Sequence, residues 1–142
     1  MEVRIVPFTE AETEIRSIRD QVFGSEQGVP RDIDWDGEDC FCTHALAMQD
    51  ATTPVGTGRL QRDGKIGRMA VLPAWRGRGT GGLILTALLE AARHQGLDQV
   101  YLHAQLRAVS FYRSYGFQPE GPEFTEADLQ HIRMTRTIAE RS

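Results

Sequence analysis

The chain has 142 residues, of which 40% are hydrophobic and 25% charged, and its formal net charge is −4. That length fits one domain, residues 1–142, with a core that needs no disulfide staples, and no run is apolar for long enough to span a bilayer. The acidic balance disfavours nucleic acid, mildly favours a cationic partner, and obliges any anionic ligand to find a local basic site.

Val3-Arg4-Ile5-Val6 has the pattern of a short strand. The start, Met1-Glu2-Val3-Arg4-Ile5, lacks the basic end and apolar run of a secretion signal, so the expected compartment is the cytoplasm. Thr9 is placed to cap a helix, with Glu12 three residues on as a capping box. Ile15, Ile18 and Val22 recur at helical spacing, and Gly24 is the expected stop. From Glu26 to Asp39 the periodicity gives way to an acidic loop containing Gly28, Pro30 and Gly37. Cys40 and Cys42 are too few and too close for a disulfide framework and are expected to be reduced thiols.

A β-meander follows: His44 to Met48, Val55 to Gln61, and Lys65 to Leu72, with Asp63-Gly64 as a hairpin turn. Gly79 to His94 is the expected long helix, its apolar face formed by Leu83, Ile84, Ala87, Leu88, Ala91 and Ala92, widened by Leu85 and Leu89. Gln99 to Ala104 is a strand, Ala108 to Tyr115 a short helix, Phe117-Gln118 a further extended piece and Ile132 to Thr135 the last strand. The order is that of a mixed α/β (α+β) sheet with a few flanking helices.

The most informative stretch is Arg76-Gly77-Arg78-Gly79-Thr80-Gly81-Gly82 between a strand and an apolar helix. A helix start carries N–H groups without internal partners and a partial positive charge, which suits a phosphate. Glycines let a pyrophosphate approach those groups, and Arg76 and Arg78 add cationic charge. A nucleoside-triphosphate loop would need Lys and Ser/Thr after its last glycine, where Gly82-Leu83 stand; a dinucleotide turn would follow the first strand of a βαβ unit rather than a hairpin strand. Tight strand–helix packing is the alternative use of the same glycines.

Arg76-x-x-Gly79-x-Gly81 resembles the pyrophosphate-binding signature of the GNAT superfamily, the CoA-dependent N-acetyltransferases. Ala108 to Phe117, containing Phe111-Tyr112 and Gly116-Phe117, is similar to that family's second signature. Glu26-Gln27-Gly28-Val29-Pro30, Val55 to Leu60, Gly67 to Val71 and Ala104-Gln105 resemble its ElaA-like branch. Many members carry Asn near Gln105 to Arg107, a departure here. The resemblance implies a mostly antiparallel sheet splayed at an acetyl-CoA site. It also implies cofactor contacts from Met69, Ala70, Val71, Arg76, Gly77, Arg78, Gly79, Thr80, Gly81, Gly82, Phe111 and Tyr112, and direct acetyl transfer to an amine of a small molecule or peptide. Tyr112 matches the tyrosine that protonates the leaving thiolate. A homodimer is an expectation at the level of the family.

The base stays open: Glu26, His44 and His103 are candidates beside catalysis through water, and Arg68 stands where some relatives carry a carboxylate. A non-catalytic CoA-binding domain, another acyl group and a hydroxyl acceptor remain alternatives. No metal is expected. Asp32, Asp34 and Asp36 have the spacing of a calcium loop, but Thr43 stands where its bidentate Glu belongs. Cys40, Cys42 and His44 alternate like zinc ligands without a fourth. The acidic loop suits either a solvated edge or a rim that attracts an amine. Phe124 to His131 resembles the ElaA-like ending, as a connector or as a border of the acceptor pocket.

Overall fold

A computed structural model describes residues 1–138. Two antiparallel sheets carry the fold. The first has β1 (Glu2–Pro7), β2 (Thr43–Met48), β3 (Pro54–Leu60) and β4 (Ile66–Val71) in that order; the second has β5 (Gln99–Gln105), β7 (Leu129–Thr137) and β6 (Gln118–Glu126), with β7 central. β4 and β5 are the facing edges. Among the described residues only the parallel bridge Lys65–Tyr101 joins them, with the Tyr101 N–H donating to Gly64 O at 3.0 Å. Beyond that point they diverge, and the expected splayed sheet is present.

Strand alternation divides the interior. Ala45 and Ala47 of β2 face a core with α3 (Thr80–His94), which buries Ile84, Leu85, Leu88, Ala91 and Ala92 against Val55, Leu60, Ile66, Val100, Leu102, Phe117 and Met134. Leu46 and Met48 face the opposite way, toward Phe8, Ile15, Ile18 and Val22 of the N-terminal helical segment. Burying apolar side chains on both faces is what fixes the register of the first sheet. Leu83, expected on the apolar face of α3, is 49% exposed, because the helix turns its Ile84–Leu88 side to the sheets.

The first helix, α1, spans Phe8–Arg19, and its cap is Pro7 rather than Thr9. Phe8 must bury itself against Trp35 and His44, which draws the helix start forward to it; Ala11 then kinks the chain, and Glu12 accepts from Arg16 at 2.7 Å. Gly24 does not stop the helix. The chain continues as a wider π-helical turn, Asp20–Glu26, closed by Gln27 N–H to Val22 O at 3.0 Å, and Gly28 supplies the left-handed residue that ends it, with φ 68°. The 26–39 loop contains a short α2 (Arg31–Asp34) and a 3-10 turn at Asp39–Phe41. The short helix that connects β5 to β6, α4, spans only Val109–Arg113, within the expected Ala108–Tyr115.

Three acids of that loop, Asp34, Asp36 and Asp39, are taken up by arginines, whereas Asp32 and Glu38 are exposed. Arg19, only 1% exposed on the face that carries Ile15 and Val22, donates to Asp34 Oδ1 at 2.7 Å and to Asp39 Oδ1 at 2.6 Å. Arg59 of β3 bridges Asp36 and Asp39, and Arg68 of β4 donates to the Asp34 and Ile33 carbonyls. Trp35 lies over the Arg19 guanidinium at 3.9 Å. Paired with arginines, Asp34 and Asp36 hold the loop to α1, β3 and β4, and among the described residues no group of three His, Cys, Asp or Glu could hold a metal. Burial pushes Asp36 upward, yet the hydrogen bonds from Arg59 and the Glu38 N–H, with the charges of Arg59 and Arg68, outweigh it and hold the carboxyl well below the usual range.

Breaking a buried ion pair by removing one partner costs about 3–5 kcal/mol, since the other charge is left uncompensated. Arg19→Met is expected to lower unfolding stability by about that much in urea titration; a loss of less than about 1 kcal/mol, the scale of an exposed pair, would show that the network does not hold the loop.

Candidate functional site

The divergence of β4 and β5 opens a cleft of about 710 Å³. One wall is the unpaired edge of β4, Met69, Ala70 and Val71; the facing wall is Ala108, Phe111 and Tyr112 around α4; the floor is the start of α3 with Gly79, Thr80, Gly81 and Gly82. A strand edge without a neighbour presents alternating N–H and C=O groups, so this wall is a ready hydrogen-bonding template.

The helix start is shaped by its glycines. Gly79 caps α3 at φ 82°, a conformation that side chains resist, and its carbonyl receives the Leu83 N–H at 3.1 Å. A Cβ on Gly82 would lie 1.9 Å from the Tyr115 hydroxyl, so any larger residue there would have to displace the Tyr115 ring. Thr80, buried, turns its hydroxyl to the Trp75 carbonyl at 3.2 Å and so helps seat the preceding turn. No side chain caps α3, which leaves its first N–H groups facing the cleft.

Arg76 and Arg107 bring positive charge to the cleft, and Glu26 and Gln27 line it from the N-terminal side. Arg76 is clasped: Nε donates to Val71 O at 2.9 Å, and both terminal nitrogens donate to Glu26 at 2.6 Å. The hydrogen bonds from Arg76 hold the Glu26 carboxyl below its ordinary range, with the charges of Arg76 and Arg107 adding to the effect. Arg78 lies outside the lining, its guanidinium 4.8 Å from the Trp75 ring centroid.

Tyr112 packs edge-on to Phe111 and Phe117, with centroids 5.1 and 5.9 Å away. Burial pushes its phenol up to about 12. Among the described residues its hydroxyl has no hydrogen-bond partner, which leaves it to serve whatever enters the cleft.

Other sequence candidates lie elsewhere. His44 is buried in β2 with Nε2 2.9 Å from the Asp39 carbonyl, inside the arginine–aspartate network rather than in the cleft. Burial, helped by the charges of Arg19 and Arg59, lowers its pKa. Cys40 is exposed while His44 is buried, and among the described residues the zinc-like alternation does not converge on a metal-holding group. His103 bonds Glu126 at 3.0 Å across the second sheet. Arg107 and Gln27 line the cleft without having been among the sequence-derived site residues, and Glu126 lies in the Phe124–His131 segment read as a connector or a border of the acceptor pocket. Arg107 sits just before the second signature, which is a usable signal, whereas Glu126 meets His103 only through strand pairing.

Residues 38–138 match the acetyltransferase (GNAT) domain family. The uncharacterized N-acetyltransferase YjcF of Bacillus subtilis is 35% identical over 123 residues, spanning 84% of this chain and 87% of YjcF. The solved structure of Escherichia coli ElaA superposes with a TM-score of 0.85 over 96% of this chain and 99% of ElaA, at 31% identity. An aminoglycoside 6'-N-acetyltransferase solved in complex with coenzyme A shares the fold at a TM-score of 0.79 over 100% of this chain and 99% of that one, with 14% identity. No helix among the described residues is long and apolar enough to cross a membrane. With a family match over most of its length and relatives this similar along nearly all of it, the chain belongs to the GNAT family of acetyltransferases and is an acyltransferase enzyme.

Proposed function

We propose that the enzyme transfers an acetyl group from acetyl-CoA to a primary amine by direct attack, with the cosubstrate in the β4–β5 cleft. The observation that carries this reading is the convergence on one space of a glycine-built helix start, an unpaired strand edge and a tyrosine hydroxyl without a partner. Acetyl-CoA supplies an activated acyl thioester at one end of a slim amide arm and a pyrophosphate at the other. The α3 N–H groups, with Arg76 and Arg107, suit the pyrophosphate. The Met69–Val71 edge suits the amide arm, which can add to it as a further strand would. Backbone N–H groups of the same edge suit the oxyanion that develops on the thioester carbonyl, at about 3 kcal/mol per well-aimed donor.

Tyr112 donates a hydrogen bond to the departing sulfur in this reading. With its phenol pushed up to about 12, a thiolate whose parent thiol has a pKa of roughly 8.5 is too weak a base to take the proton outright. Stabilising the developing negative charge is therefore the larger part of its role. Glu26, held in its ionised form by Arg76, is a partner of that arginine rather than a base. In this account a pyrophosphate and Glu26 compete for the same guanidinium.

Three variants test the assignment. A Cβ on Gly81 makes only ordinary contact with Phe111, at 3.6 Å, so Gly81→Glu sets a carboxylate at the helix start without backbone strain. Calorimetric titration with acetyl-CoA is expected to show binding weakened by at least about tenfold, that is 1.4 kcal/mol; equal affinity would remove the pyrophosphate from this turn. Tyr112→Phe is expected to lower kcat by about 10- to 100-fold, the worth of a hydrogen bond to a charged group, with the KM for acetyl-CoA unchanged; an unaltered kcat would reduce Tyr112 to packing. Glu26→Gln is expected to tighten acetyl-CoA binding a few-fold by releasing Arg76, whereas a fall in kcat at unchanged affinity would return Glu26 to the chemistry.

A further inference from the structure

The cleft has an outer and an inner end, and the order of residues along β4 tells them apart. Val71 stands nearest the turn that leads to the glycine-built start of α3, and Met69 stands farthest from it. Arg68, one residue earlier, does not line the cleft. It lines a separate cavity of about 310 Å³, with Gln27, Ile33 and Glu126, and its guanidinium is bound to the Ile33 and Asp34 carbonyls. Along β4 the cleft therefore ends at Met69.

Two apolar side chains reach that inner end from opposite faces of the first sheet. Val22, 2% exposed, belongs to the core that the sheet shares with α1. Gln27, bonded through its N–H to the Val22 carbonyl, lines both spaces, which places Val22 where they abut. Met69 belongs to the core beneath α3. Its sulfur occupies a space left by Gly58, the residue opposite the bulge: a Cβ there would lie 2.7 Å from Met69 Sδ, 2.9 Å from Ile84 Cγ2 and 3.0 Å from Leu88 Cδ1. The thioether is thus wedged against two wholly buried residues of α3. Methionine fills irregular gaps well, and a close-packed core yields little once it has done so.

We propose that Val22 and Met69 set the length of the acyl group, as the walls of an acyl pocket that admits acetyl and rejects butyryl. This rests on the reading of the cleft as the acetyl-CoA site. With the pyrophosphate at the start of α3, the amide arm lies along the β4 edge and carries the thioester away from Val71 toward Met69. The acyl chain beyond the sulfur then points at the inner end, where Val22 and Met69 offer it only apolar contact. Extra methylenes forced into a well-packed wall drive side chains off their rotamers. A single methylene in an apolar pocket discriminates by about 10- to 200-fold.

Calorimetric titration in the absence of any amine tests the pocket, with coenzyme A, acetyl-CoA and butyryl-CoA as probes. Butyryl-CoA is expected to bind at least about tenfold more weakly than acetyl-CoA. Met69→Ala and Val22→Ala are each expected to bring the two affinities within a few-fold of one another. Val71→Ala, two residues along the same edge and packed on the same core as Met69, is expected to leave the gap in place. Each result is a ratio measured on one protein, so a general weakening of the site cancels. Met69→Ala, at a half-buried position, carries the test even where Val22→Ala fails to fold. Equal affinity for acetyl-CoA and butyryl-CoA in the natural chain would overturn the proposal. So would a gap that survives Met69→Ala or Val22→Ala in a folded protein, or one that Val71→Ala closes as well. Failure of coenzyme A itself to bind would instead overturn the reading of the cleft.

Discussion

The structure depends on a bulge in β4. Thr57 pairs with Ala70 and Arg59 with Gly67, so Gly58 faces both Arg68 and Met69, and Arg68 takes a left-handed φ of 50°. Two residues against one bend and twist a strand, here beyond the Lys65–Tyr101 bridge at which β4 and β5 last meet. A non-glycine residue in that conformation costs of order 1 kcal/mol or more and persists only where its surroundings over-determine it. Here they do: the Arg68 guanidinium is bound to the Ile33 and Asp34 carbonyls and to Asp36, while Arg19 and Arg59 lock the same loop from behind. The arginines hold the bulge, and the bulged part of β4 walls the cleft that opens where β4 and β5 have parted.

The same bulge divides the two spaces. Met69, after it, faces the cleft with the glycine turn; Arg68, at it, faces the cavity reached by Glu126. One strand thus supplies a wall to each compartment, and Gln27 at the end of the π-helical turn lines both.

Much of this was legible in the sequence because it is local. Strand alternation, the Asp63-Gly64 turn and the α3 periodicity each follow from neighbours within a few positions, and the elements fell where these patterns put them. Met69 to Val71, Arg76, Gly77, Gly79 to Gly82, Phe111 and Tyr112 line one cleft, while Arg78 of the same turn does not. The misses are long-range. Thr9 has the right side chain for a cap, but burial of Phe8 moved the helix start. Gly24 could end a helix, yet Gly28 was the position where the chain needed a left-handed residue. Arg19 stands between Ile15 and Val22 on the buried face, and a cation there was a signal that acids from elsewhere must cover it. The Asp34 and Asp39 that do so looked like part of an acidic rim only because their partners are far away along the chain. His103 and Glu126 meet across the second sheet, whose strand order spacing alone does not give.

Net charge is a poor guide to what this surface attracts. The chain is formally −4, yet three of its aspartates are spent on Arg19, Arg59 and Arg68, and Glu26 on Arg76. At physiological salt the field of an exposed charge fades over about 8 Å, so a ligand entering the cleft feels Arg76, Arg107 and the α3 N–H groups rather than the whole-molecule sum. Glu26 is the one acid near them, and it sits on the very guanidinium that the glycine turn sets beside the helix start. The chain's acidity and its capacity for an anionic cosubstrate therefore do not conflict: they act at different distances, and within the cleft the short one governs.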